Sequence, residues 1–121
     1  MSIHIKTPIG ATLLYKKIVN SIKSNQIDTW ILDDDGDFTH TPLQWRNQAW
    51  LKYYTNGDEL IFGILSRRDI KMSKLTYGVY HGRFSEMLLT HFDNEITSIQ
   101  LTSLPDDYDN IEIRGKSGIK K

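Results

Sequence analysis

Apolar side chains recur at Leu14, Ile18 and Ile22, with Ile9 and Leu13 beside them, while Lys16, Lys17 and Lys23 occupy other faces. That spacing predicts an amphipathic helix over residues 9–24. Thr7 stands where a capping hydroxyl belongs, and Pro8 suits the first helical position, where a missing N–H costs nothing. The period then shortens to two. In TWILDDDGDFTHT, residues 29–41, Trp30 and Leu32 alternate with Thr29 and Ile31. This predicts a strand, a tight turn at Asp35-Gly36 and a second strand.

A loop, PLQWRNQ, leads to a third apolar segment, AWLKYY, then a turn at TNGD (55–58) and a fourth segment, ELIFGILSR. LIFGIL is the most continuous apolar run and predicts a central strand buried on both faces. After the polar connector SRRDIKMSK comes a helical stripe of Tyr77, Tyr80, Phe84, Met87, Leu88 and His91, with His91 near its middle and His81 at its margin. EITSIQLTSL, 95–104, alternates as a last strand before Pro105. The predicted order is α-β-β-β-β-α-β. It implies an α+β fold in one domain, residues 1–104: an antiparallel β-meander of four to five strands with two helices packed on one face. Residues 105–121 read as a polar C-terminal tail, mobile at its end.

Composition narrows the classes. The 121 residues suit one core, and 39% hydrophobic with 25% charged residues are ordinary for a globular protein. Absence of cysteine removes disulfides, thiol nucleophiles and thiolate metal sites. No basic stretch followed by an apolar one opens the chain, and no apolar run approaches the ~20 residues of a membrane span. A cytoplasmic protein without membrane contact is therefore expected, and the surplus of isoleucine over valine and alanine points to AT-rich bacterial or phage codons. Net charge is zero but blocked: residues 1–27 hold four lysines and no acid, residues 28–43 five aspartates and no base. Such neutrality argues against a dedicated DNA binder.

Candidate chemistry is sparse. DDDGD, 33–37, suggests calcium, but with Gly36 at the sixth loop position the first falls on Ile31 and the twelfth on Pro42. A turn fits better, and no metal is expected. Trp45, Trp50, Tyr53 and Tyr54 lie close in sequence to Arg46 and Lys52, with Trp50, Lys52 and Tyr54 on one strand face. RRDIK, 67–71, is a basic connector able to touch phosphate. Gly78 and Gly82 each cost about 1 kcal/mol inside an exposed helix. Either something packs closely on them, or the helix opens at Gly82 after an extended TYGVYH. In the second case YHGRF, with His81 and Arg83 beside free N–H groups, makes an anion site at a helix N-terminus.

No nucleophile elbow, P-loop, HExxH or dinucleotide fingerprint is present, so no catalytic residue and no cofactor is expected. The leading expectation is a small non-catalytic binding module acting on a protein partner or as a homodimer. A second reading is an anion, nucleotide or nucleic-acid site drawing on Tyr80, His81, Arg83, Trp50, Arg67 and Arg68. A third is a small hydrolase or nuclease using His81 or His91 with a carboxylate from elsewhere in the fold.

Overall fold

The computed structural model describes residues 2–67, 70–104 and 106–109. Six strands form one antiparallel sheet: β1 (Ile3–Lys6), β2 (Trp30–Leu32), β3 (Phe38–His40), β4 (Ala49–Asn56), β5 (Glu59–Ser66) and β6 (Ser98–Leu101), ordered β2-β3-β4-β5-β1-β6. Two helices, α1 (Ala11–Lys23) and α2 (Lys74–Phe92), bury their apolar sides in one cluster with Ile3, Ile5, Leu51, Leu60, Phe62 and Ile64. The α+β class and the helices on one face are as the pattern predicts. Among the described residues no helix is long and apolar enough to cross a membrane.

The strand count rises because of β1. IHIK has only two apolar positions, too short a pattern to read as a strand. In the fold it pairs with β5 on one side and β6 on the other, which buries Ile3 and Ile5 completely. The central position expected of LIFGIL holds, since β5 lies between β4 and β1.

The turns form where the glycines allow. Gly57 (φ 61°) and Asp58 connect β4 to β5 in two residues, and Gly36 (φ 81°) sits in a five-residue loop between β2 and β3. Positive φ at these points is cheap for a residue without Cβ. In the acidic loop Asp33 Oδ1 accepts the N–H groups of Asp35 and Asp37, each at 3.0 Å. Asp33 thus closes the turn that the sequence predicts here, and a carboxylate oxygen from each of Asp33, Asp35 and Asp37 lies within 4.8 Å of the others.

Both helix starts differ from expectation. Helix α1 begins at Ala11 behind Gly10 (φ 90°), with no side-chain cap. The Thr7 hydroxyl instead donates to the Glu95 carbonyl and accepts from Ile9 N–H, tying the chain after β1 to the segment before β6. The predicted face is nonetheless the buried one: Ala11, Leu14, Ile18 and Ile22.

Helix α2 starts at Lys74, capped by Ser73, whose hydroxyl oxygen accepts Thr76 N–H at 3.1 Å. It runs unbroken through both glycines, and nothing lies within 4 Å of a Cβ built on either. Neither arrangement drawn from the sequence therefore holds. Burial of Tyr80, Phe84 and Leu88, at roughly 1.5–3 kcal/mol for a large apolar side chain, outweighs the glycine penalty. His91 is exposed, against its expected place in the stripe. The buried line runs Tyr80, Phe84, Leu88, Phe92, and each step of four turns about 40° around the axis. By the last turn the covered side has moved to Phe92.

The other sheet face carries His4, Trp50, Tyr54, Ile61 and Leu65, with Trp50, Ile61 and Leu65 buried. Residues 106–109 cross this face. Backbone atoms of Tyr108 lie so close to Gly63 that an added Cβ would stand 1.8 Å from the Tyr108 carbonyl oxygen. Asp109 Oδ1 accepts Ile64 N–H at 2.9 Å, and the Tyr108 ring meets the Tyr54 ring at 5.1 Å. Mobility expected at the end of the tail concerns residues that lie outside those described.

Candidate functional site

Of the six residues singled out in the sequence, five are described, and they do not converge on one cleft. Trp50 is buried on the outer sheet face. Tyr80 is buried under the helices, its hydroxyl donating to the Trp45 carbonyl at 2.5 Å. His81 is also buried, with Nδ1 donating to the Tyr77 carbonyl at 2.7 Å and its ring against that of Tyr77. Arg67 borders a separate hollow with Gln48, Lys71, Ser73 and Thr76. Arg68 lies outside the described residues. Arg83 alone opens into a cleft of consequence. The backbone N–H groups around Gly82 lie mid-helix, eight residues past the start of α2, so the helix N-terminus expected at YHGRF is not there.

The Arg83 cleft measures about 280 Å³ and lies between α2 and the turn that joins α1 to β2. Arg83, Glu86, Met87, Thr90 and His91 supply the helix side; Gln26, Ile27, Asp28 and Thr29 supply the turn, and His40 comes from the end of β3. Helical geometry accounts for the first set. Positions 83, 86, 87, 90 and 91 are spaced by three and four, so they form one strip beside the buried line. Asn25, with φ 63°, makes the chain reversal that brings the turn against that strip.

His40 is the unusual member. It is 2% exposed, and its ring lies 4.4 Å from the Trp30 ring and 6.0 Å from that of Tyr80. Nδ1 approaches the Thr29 carbonyl at 2.7 Å. A carbonyl only accepts, so the proton sits on Nδ1 and the neutral ring carries a lone pair on Nε2. That buried nitrogen has no hydrogen-bond partner among the described residues. A buried acceptor left in this state costs about 1–3 kcal/mol, and native folds rarely leave one without reason.

Burial pushes the His40 pKa down, and the Arg83 charge adds to this, while the Thr29 hydrogen bond and Glu86 oppose it. Charges of both signs therefore act on this imidazole. The depressed value has a sign: above the ordinary 6.5 the contribution to stability is complete, and it is lost as pH falls through the lowered folded-state value, because the unfolded chain binds the proton first. Urea midpoints are expected to drop between pH 7.5 and pH 5. In His40→Asn, whose amide can still donate to Thr29, that drop is expected to shrink; an unchanged pH dependence would contradict the assignment.

A second polar group lies on the outer face. Ser2 Oγ stands 2.6 Å from His4 Nε2, and His4 Nδ1 stands 3.1 Å from Glu59 Oε1. This is the connectivity of a nucleophile, a base and an acid. However, the Ser2 hydroxyl donates to Asp106 Oδ2 and Ser2 is fully buried, so nothing can reach it. The group anchors the returning segment. Burial alone would raise the Asp106 carboxyl, but hydrogen bonds from Ser2, Tyr108 N–H and His4 outweigh it and hold its pKa below the carboxylate norm.

His40 and Asp28 escaped the sequence reading. Asp28 was counted only in a charge block, and His40 only as part of a strand. Period-two alternation with Phe38 would have turned His40 toward the core, which is the one signal available. Comparison of the chain with protein-family models, with curated proteins and with solved structures finds no match.

Proposed function

We propose that this protein is a small non-catalytic binding module whose ligand is a small polar molecule held in the cleft beside α2. The observation that carries this is the charge of the cleft: Arg83, Glu86 and Asp28 line it, and none of them is in an ion pair among the described residues. A ligand with polar groups of both signs would engage these charges. At about 280 Å³ the cleft falls just below the roughly 300–1,000 Å³ common for drug-sized ligands, which suits a smaller one.

This reading keeps the binding role expected from the sequence and changes what is bound. A protein partner or second copy, the leading expectation from the sequence, is the alternative reading, and exposed Leu13, Leu75, Leu89 and Leu101 are among the apolar residues it would draw on. A nucleic-acid surface needs its cations and aromatics together, and Arg83 lines a cleft that Arg67 and Trp50 do not. The isoleucine-rich composition supports a source with AT-rich codons, a bacterium or a phage.

The test is a small-fragment screen by amide NMR on the full chain. Polar fragments are expected to shift residues 26–29, His40 and 83–91. Fragment hits confined to other hollows, or no hits at all, would overturn the reading.

A further inference from the structure

We infer that the cleft is built for a zwitterionic amino compound of the size of a free amino acid, with its carboxylate on Arg83 and its ammonium between Asp28 and Glu86. The inference rests on the binding role proposed above and narrows it to a ligand class.

Three features point the same way. First, the cleft offers one guanidinium and two carboxylates, none of them in an ion pair among the described residues. A ligand with one negative and one positive group pairs with both signs, whereas a polyanion such as a nucleotide phosphate meets two acids for one base. Second, the buried His40 ring keeps its one proton on Nδ1, committed to Thr29, and so adds no further cation to the wall for a polyanion to use. Third, the remaining wall is mixed: Ile27 and Met87 give an apolar strip, and Met adapts to irregular shapes. A short side chain fits there beside the charged head group.

Geometry favours Arg83 as the carboxylate anchor. Its planar fork binds a carboxylate through two parallel N–H···O bonds. Glu86 lies three residues on, within one helical turn, so a base and an acid stand as neighbours on one helix face.

The experiment uses the full chain and the twenty standard free L-amino acids, read by amide shifts at residues 26–29 and 83–91. At least one is expected to bind, and its N-acetyl and methyl-ester forms to bind about tenfold or more weakly, because each removes one of the two charges. Arg83→Ala and Glu86→Gln are expected to weaken it about tenfold as well, with unchanged melting temperature. If the N-acetyl form or inorganic phosphate binds as well as the parent, or fragments bind the cleft while no amino acid does, the zwitterion assignment is overturned and the binding role stands. Failure of every fragment at this cleft removes the binding role itself.

Discussion

Replacing Phe84 by alanine is expected to remove about 3–5 kcal/mol of folding stability, a large share of what a domain of this size has. The ring is fully buried and meets three others edge-on: Trp30 at 5.0 Å, Phe38 at 5.5 Å and Phe62 at 4.7 Å. Those partners come from β2, β3 and β5, so one side chain holds α2 to three strands at once. Its truncation forfeits the transfer energy and leaves a cavity whose walls are stiff aromatic rings. Arg83→Ala, one position earlier on the exposed side, is expected to stay within about 0.5 kcal/mol of the parent. Urea denaturation of the pair makes the comparison. Equal losses would mean that α2 is not seated on the face described.

Gly63→Val is the second large effect. A Cβ there meets the Tyr108 carbonyl oxygen at 1.8 Å and its carbon at 2.5 Å, and a backbone cannot rotate away as a side chain can. Residues 106–109 are therefore expected to leave the sheet. The Asp109–Ile64 hydrogen bond goes with them, as do the contacts of Asp106 with Ser2 and His4. The expected loss is about 1–3 kcal/mol, with the rest of the fold intact. Amide exchange at Ile64 reads the event directly: it accelerates if the segment detaches, and unchanged protection would refute the close approach. Acid should loosen the same contact, since Asp106 is held low in the fold. Its contribution is present above the ordinary 3.8 and fades as pH drops through the lower folded-state value.

How far the sequence could be read varied with the range of the interaction. The hairpin at residues 29–41 was legible because turn residues and alternation act within a few positions, and Gly36 takes the left-handed conformation the turn needs. The long strands β4 and β5 were legible for the same reason. Helix α2 was read only in part. Its apolar spacing was plain, but the glycines suggested a start at Gly82, and the gain from packing Tyr80 below that point is not written in local propensity. The candidate site was the least legible. Arg83 was singled out, yet its expected neighbours Tyr80 and His81 face the core. Its actual neighbours His40 and Asp28 lie more than forty residues away in the chain.

By itself, then, the sequence determined the class, the hairpins, the buried strand and the apolar side of α1, because each follows from a period or a turn repeated over adjacent residues. Tertiary structure alone decided three things. It made IHIK a strand, since pairing on both sides supplies hydrogen bonds that four residues cannot make alone. It set Gly63 under the returning Tyr108 backbone, a contact between residues forty-five positions apart. It also brought a buried, acceptor-only His40 to the cleft that holds Arg83 and Glu86. Convergence of this kind depends on how sheet and helix pack, and packing is a property of the whole chain.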